Sequence, residues 1–234
     1  MVSNPIIVAL DFPTAREAVS VAEAVAPFVG GFKVGLGLLH GPGPGVVGAL
    51  ARIGPVFADA KLHDIPSQVA AAARSLGRMG ARWVTAHAAG GRPMLTAAVE
   101  GLSDGAGGRE AGILGVTVLT SLDESETAAI GLGGSIGRLV ARLAKATAEA
   151  GAEGAVCSPR ELGDVAQVAP GLRRVTPGIR PNGVGGDDQR RTATPEEALD
   201  RGANLLVVGR PITGAVDPAK VAAEVWARIE AHLR

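Results

Sequence analysis

Short runs of apolar residues recur along the chain, and most are followed by a segment whose apolar positions repeat at helical spacing. The runs lack the polar alternation of a half-exposed strand, so they predict strands buried on both faces of a parallel sheet. The predicted strands span 6–11, 31–35, 55–61, 83–87, 112–119, 154–157, 174–177 and 204–209. The predicted helices span 14–28, 66–79, 92–100, 136–150, 159–168, 195–201 and 218–233, with a weaker one after Pro44.

Eight strand–helix units in 234 residues are the count and size of a TIM (β/α)₈ barrel. No linker or low-complexity tract divides the chain, so we predict a single α/β domain over residues 1–234. A doubly wound parallel sheet is the alternative, although it needs an interior switch point and usually fewer units. Residues 43–48 fit the pattern G-x-G-x-x-G, but no strand directly precedes them, and Pro42 and Pro44 lack the amides that a pyrophosphate needs. No dinucleotide cofactor is predicted.

Charge and composition exclude several classes of function. Lys and Arg together number 23, as do Asp and Glu, and no basic run is present, so we predict no binding of nucleic acid or of a membrane surface. The single cysteine, Cys157, cannot build a disulfide framework and fits a reducing compartment. No run of eighteen apolar residues occurs, and the N-terminal apolar run is too short for a secretion signal. We therefore expect a soluble, cytoplasmic protein.

Charged residues close the first three predicted strands. Asp11 ends the first, Lys33 the second, and Asp59 with Lys61 the third, while Asp64 follows in the next loop. Chemistry in a TIM barrel sits at the carboxyl ends of the strands, so these groups are expected to meet at one mouth. An ion-pair network that only stabilises the rim is the alternative, but burying alternating charges costs more than apolar filling. A lysine between two carboxylates is kept as the ammonium, which suits a proton donor and not a Schiff-base nucleophile.

A second polar set follows the seventh and eighth predicted strands, where TIM barrels commonly bind a phosphate. Arg180 and Arg210 are the candidates for that contact, whereas Arg190 and Arg191 are expected on an ordinary solvated surface. His63, His87 and Cys157 carry no metal-ligand spacing, so we interpret them as structural residues and predict no metal site.

Several segments together resemble the orotidine 5'-phosphate decarboxylase family over nearly the whole chain. They are VALD at 8–11, FKVG at 32–35, DAKLHDIP at 59–66, TPGIR at 176–180, DDQRR at 187–191 and VGRPIT at 208–213. The resemblance implies a dimeric TIM barrel that converts orotidine 5'-monophosphate to UMP and CO₂ in pyrimidine nucleotide synthesis, without metal or organic cofactor. It further implies that Lys61 protonates C6, that Asp59 lies against the substrate carboxylate and that Asp64 enters from the partner subunit.

The same resemblance implies the binding residues. Asp11 and Lys33 would hold the ribose hydroxyls, and Thr120 would lie at the pyrimidine. Ser67 and Gln68 depart from the usual Asn-Thr of the family, so Gln68 stands where a threonine normally contacts ribose. The phosphate would be held by Arg180, Gln189, Gly209 and Arg210.

Two other functions stay open at this stage. Sugar-phosphate members of the same superfamily, such as 3-keto-gulonate-phosphate decarboxylase or hexulose-phosphate synthase, use Mg²⁺ and an acidic ligand at the end of the second strand. This chain has Lys33 there, and a cation repels a divalent metal. A non-catalytic sensor of phosphorylated ligands is the other possibility, because a fold alone does not establish activity.

Overall fold

The computed structural model describes residues 4–181 and 191–234, which form a closed barrel of parallel strands in the order β1 to β8. The strands are β1 Ile6–Ala9, β2 Gly31–Val34, β3 Val56–Leu62, β4 Ala81–His87, β5 Gly112–Val116, β6 Gly154–Val156, β7 Arg173–Thr176 and β8 Leu205–Val208. Each strand pairs with its neighbours in sequence, and β8 closes on β1 through Ile7 and Val207. The predicted TIM barrel is therefore confirmed.

Helices connect the strands around the outside of the barrel. They are α1 Ala15–Val25, α2 Leu36–His40, α3 Gly45–Leu50, α4 Pro66–Arg78, α5 Gly91–Ala106, α6 Glu124–Ala129, α7 Ile136–Glu149, α8 Leu162–Val168, α9 Pro195–Asp200, α10 Arg210–Thr213 and α11 Pro218–His232. Among the described residues, no helix is both long and apolar enough to cross a membrane.

Side chains fill the barrel in two layers, one inside the ring of strands and one between strands and helices. The interior is filled by alternate strand residues, which are Ile7, Ala9, Phe57, Trp83, Leu114, Val175, Leu205 and Val207. Their neighbours along each strand, such as Ile6 and Val8, pack outward against the helices. The interior is thus a packed core, and polar groups collect at its two ends.

The amino-terminal end of the barrel holds a structural ion-pair network. Glu153 accepts from Arg82 at 2.6 Å and from the indole N–H of Trp83 at 2.9 Å, and Arg173 lies 3.2 Å away. Burial raises the pKa of Glu153, but the hydrogen bonds from Arg82 and Trp83 and the charges of Arg82 and Arg173 hold it below its usual value. Glu153 is consequently ionised and paired at neutral pH.

Glycine brings α4 and α5 into backbone contact. A Cβ on Gly101 would lie 2.3 Å from the carbonyl oxygen of Ala70, and one on Gly105 would lie 2.1 Å from that of Arg74. No side chain fits at either position without moving the helices apart. This close contact fixes the axis of α4 and thereby the β3–α4 connection that carries Asp64.

Several elements differ from the sequence prediction: the short helices α2 and α10 were not predicted, and α5 continues to Ala106, beyond its predicted end at residue 100. The α6 helix was not predicted, because its capping box of Asp123 and Glu126 begins a helix of only six residues. The predicted helix at 159–168 begins only at Leu162, since the Glu161 carboxylate accepts the backbone N–H of Ser158 at 3.2 Å and closes a turn first. The apolar run at 112–119 leaves the strand after Val116.

Candidate active site

A cavity of about 400 Å³ opens at the carboxyl ends of the strands. Apolar side chains such as Phe57 and Val207 form its floor, and polar groups line its wall. The structure brings most of the predicted site residues together there, namely Asp11, Lys33, Asp59, Lys61, Thr120, Arg180, Gly209 and Arg210. Gln189 lies outside the described residues.

Four charged groups on one side of the cavity form a row of alternating sign, called here the charged row. Lys33 Nζ lies 3.0 Å from Asp11 Oδ1 and 3.9 Å from Asp59 Oδ2, and Lys61 Nζ lies 2.7 Å from the same Asp59 oxygen. The side chains of Lys33 and Asp59 are only 12% and 13% exposed, while that of Lys61 is 30% exposed. Limited exposure to water reduces screening, so these three charges act strongly on each other and on a bound ligand, whereas the side chain of Asp11 is 64% exposed and its charge is screened more.

Lys61 reaches Asp59 through an irregular backbone. Its φ is +47°, and it is the single non-glycine residue with a positive φ in the described part of the chain. The pairing of β3 with β4 shifts between Ala58 and Leu62, which marks a bulge. Asp59 and Lys61 thus meet at the mouth of the barrel as expected, but their contact is not made by a regular extended strand. Such a conformation costs on the order of 1–3 kcal/mol and needs support from its surroundings.

Two histidines lie behind the charged row. The rings of His63 and His87 are 5.4 Å apart between centroids. Burial lowers the pKa of His87, the charges of His63 and Lys61 lower it further, and Asp59 opposes them. His87 is thus a neutral imidazole at pH 7 and adds no positive charge beside Lys61.

The part of the cavity wall that follows β7 and β8 carries the predicted phosphate residues. Gly209 follows β8, Arg210 begins α10, and Arg180 follows β7. Arg180 donates to the carbonyl of Ile179 at 3.1 Å. Two arginines and a glycine backbone therefore line the same cavity as the charged row, an arrangement that suits a phosphorylated ligand.

Arg191 was expected on a solvated surface, and that prediction is wrong. Its side chain is 7% exposed, with Nη1 2.6 Å from Glu161 Oε1 and Nη2 donating to the carbonyl of Leu119 at 2.9 Å. The other oxygen of Glu161 accepts from the hydroxyl of Ser158. Glu161 is distant in sequence, so no local pattern in the chain could have identified this pair.

Asp64 and Gln68 do not line the cavity of their own chain. Both are exposed, Asp64 on the β3–α4 connection and Gln68 in the first turn of α4. The carboxylate of Asp64 accepts the backbone N–H of Ile65 at 2.6 Å, and Ile65 itself is 62% exposed. A charged and an apolar side chain thus stand together on the surface next to the site.

Cys157 follows β6 at the cavity and is 1% exposed. Burial, assisted by the charge of Glu161, raises the pKa of its thiol to about 12, against the opposing charges of Arg174 and Arg191. The thiol is therefore protonated at neutral pH and is not a nucleophile.

Comparison with known proteins agrees with this geometry. The sequence profile of the orotidine 5'-phosphate decarboxylase / HUMPS family matches residues 4–225. Orotidine 5'-phosphate decarboxylase of Anaeromyxobacter sp. strain K is 51% identical over 96% of this chain and 98% of its own, and that of Thermobifida fusca is 49% identical over 97% and 96%.

Solved structures lead to the same family. The crystal structure of orotidine 5'-phosphate decarboxylase from Lactobacillus acidophilus superposes with a TM-score of 0.83 at 32% identity and covers 99% of each chain. That of the enzyme from Pyrococcus horikoshii OT3 gives 0.76 at 25% identity, covering 96% of this chain and 99% of the other. Fold, cavity and sequence all agree, and the chain belongs to the orotidine 5'-phosphate decarboxylase / HUMPS family.

Proposed function

We propose that this chain converts orotidine 5'-monophosphate to UMP and CO₂, with Lys61 as the proton donor. The observation that carries the proposal is that the row of Asp11, Lys33, Asp59 and Lys61 lines the same cavity as Arg180 and Arg210. In the reaction the bond from C6 to the carboxylate breaks, CO₂ leaves, and the electron pair stays on C6. Lys61 Nζ then delivers its proton to C6, so the products are neutral CO₂ and the C6–H of UMP.

The carboxylate of Asp59 supports this role of Lys61. At 2.7 Å from Nζ it pairs with the ammonium and holds it in the cavity wall, and the ammonium is the form that donates a proton. The fixed positive charge also stabilises a carbanion-like centre at C6, where negative charge develops only as the reaction proceeds. Asp59 in turn would lie against the carboxylate of the substrate, whose departure removes the repulsion between the two anions.

The remaining cavity residues supply binding. Lys33 and Asp11 offer a donor and an acceptor for the ribose hydroxyls, and Thr120 offers a hydroxyl to the pyrimidine. Contacts to the distant phosphate supply binding energy that holds the substrate carboxylate close to Asp59. The phosphate contacts are assigned to Arg180, Gly209 and Arg210, together with Gln189 outside the described residues.

An absorbance assay tests the reaction directly. The C6 carboxylate alters the conjugated pyrimidine, so orotidine monophosphate and UMP differ in the ultraviolet and their conversion can be followed continuously. Purified protein should convert the nucleotide completely, at a rate unchanged by dialysis against EDTA. Binding without turnover would instead favour a sensor of phosphorylated ligands.

A sugar-phosphate function is the nearest alternative, because the matched family covers the HUMPS proteins as well as the decarboxylases. Lys33 argues against it, because its ammonium stands between two carboxylates at the end of β2 and repels a divalent cation. Metal-dependent turnover of a hexulose phosphate, with none of the nucleotide, would favour that alternative.

Replacing Arg210 by alanine is expected to weaken substrate capture and to slow decarboxylation. The loss of a charge-assisted contact to phosphate should lower kcat/KM by an amount equivalent to roughly 2–5 kcal/mol. Steady-state kinetics measure this change, and Arg142→Ala on the exposed face of α7 is the matched control that should keep the wild-type rate. If the nucleoside without phosphate reacted as well as the nucleotide in the wild type, the phosphate assignment would be wrong.

We also propose that two copies of the chain form a dimer with shared sites, in which Asp64 enters the cavity of its partner. Two observations support this. Asp64 is exposed and does not line its own cavity, and the neighbouring Ile65 exposes an apolar side chain on the same surface. A twofold interface repeats every contact, so a loop that crosses in one direction also crosses in the other.

Two inactive variants test whether the sites are shared. When Lys61→Ala and Asp64→Asn chains exchange subunits, each hybrid dimer should have one site with both lesions and one with neither. Random pairing makes about half of the dimers hybrid, so activity should return to roughly a quarter of the wild-type value. If every site were built from one chain, the mixture would stay inactive even after subunit exchange had been verified with labelled chains.

A further inference from the structure

Thr85 lies directly behind the charged row, and no role has so far been assigned to it. It is on β4, two residues after the interior residue Trp83, and it is completely buried. Its hydroxyl accepts the backbone N–H of Lys61 at 2.9 Å and donates to Asp59 Oδ1 at 3.0 Å. Thr85 does not line the cavity, so any effect on the reaction must pass through these two residues.

The bulge in β3 explains why Lys61 needs this contact. Ala58 pairs with Val84 and Leu62 pairs with Ala86, so three residues of β3 stand opposite the single residue Thr85. The N–H of Lys61 therefore has no strand carbonyl in register with it, and the threonine hydroxyl takes the place of that carbonyl. The same bond supports the positive φ of Lys61, which is a strained conformation for a residue with a side chain.

The contact with Asp59 fixes the direction of that carboxylate. Oδ1 accepts from Thr85, while Oδ2 faces Lys61 at 2.7 Å and Lys33 at 3.9 Å. With one oxygen held, the carboxylate cannot rotate freely about its bond to Cβ, and the oxygen toward the lysines stays in place. One hydroxyl thus holds both the backbone of the proton donor and the anion that pairs with it.

We infer that Thr85 is a positioning residue for decarboxylation, with its hydroxyl holding Asp59 and the Lys61 backbone in the reactive geometry. The inference rests on the proposed function, in which Lys61 supplies the proton. A displacement of about 1 Å at reacting groups can cost roughly 100-fold in rate, so loss of the hydroxyl should act mainly on kcat.

Two pairs of variants separate the hydroxyl from the methyl group. Thr85→Val keeps the shape and removes the oxygen, whereas Thr85→Ser keeps the oxygen and removes the methyl. Thr85→Val should lower kcat by about 10- to 100-fold with KM changed less than about threefold, and Thr85→Ser should stay within about threefold of wild type. If the valine variant does not fold, Thr85→Ala against Thr85→Ser gives the same comparison, because those two also differ in the hydroxyl.

Thr147→Val is the matched control. Thr147 is equally buried, and its hydroxyl donates only to the carbonyl of Leu143 in its own helix, at 2.8 Å. This variant should keep the wild-type kcat. A folded Thr85→Val variant with wild-type kcat, or a serine variant as slow as the valine one, would overturn the inference while the function stood. Absence of turnover in the wild type would instead overturn the proposed function, and with it this role of Thr85.

Discussion

Alanine in place of Lys61 is expected to lower turnover of orotidine 5'-monophosphate by about 10⁴-fold or more. General acid catalysis contributes typically 10²- to 10⁴-fold, and a fixed charge at a developing anion contributes about 10²- to 10³-fold. Both contributions are lost with one ammonium, because the same Nζ supplies the proton and the fixed charge. It lies at the cavity wall, 2.7 Å from Asp59. Steady-state assays over several enzyme concentrations measure the loss.

The fold should survive this substitution. Lys61 is at the rim and 30% exposed, and Asp59 keeps Lys33 as a cation at 3.9 Å and Thr85 as a hydrogen-bond donor. Circular dichroism and the urea midpoint should therefore stay close to those of the wild type. Lys145→Ala on the exposed face of α7 controls for loss of a lysine elsewhere and should leave the rate unchanged. Appreciable turnover by a folded Lys61→Ala variant would refute the assignment of Lys61 as the proton donor.

The barrel and most of the cavity-lining residues at its mouth were accessible from the sequence because both depend on short-range patterns. A buried strand appears as an apolar run, and a charged residue at its end lies at the mouth of a barrel. Asp11, Lys33 and Asp59 follow that rule directly, and the structure brings them together with Lys61. The chemistry of the site is thus encoded at the ends of β1 to β3.

The supporting residues could not be found in this way. Thr85 lies within an apolar strand, and its importance depends on a bulge in the neighbouring strand that no alternation pattern reveals. Arg191 pairs with Glu161, 30 residues distant, after the chain has passed through β7 and the residues that follow it. Its neighbours in sequence are polar, which is typical of a solvated loop. Contacts between residues distant in sequence therefore determine the roles of Thr85 and Arg191. The local pattern gave no signal for Thr85 and the wrong signal for Arg191.

Replacing Arg191 by methionine is expected to destabilise the fold by about 3–5 kcal/mol. The substitution would leave the Glu161 carboxylate, in a residue that is 6% exposed, without its cation, and an uncompensated buried charge is costly. The carbonyl of Leu119 would also lose its donor, beside Thr120 in the cavity wall. Urea denaturation measures the effect as a shift of the midpoint at constant slope.

A double variant distinguishes the lost cation from lost packing. Arg191→Met combined with Glu161→Gln removes both charges and keeps a side-chain oxygen that accepts from the buried Ser158, so no unpaired charge is left buried and most of the loss should be recovered. Lys145→Met is the matched control, because Lys145 and Glu149 lie 3.9 Å apart with side chains 68% and 49% exposed, and an exposed pair contributes about 0–1 kcal/mol. Two outcomes would contradict this role of the pair. Either Arg191→Met shifts the midpoint no more than this control, or the double variant is no more stable than the single one. In both cases Arg191 and Glu161 would not be the stabilising buried ion pair that their contacts indicate.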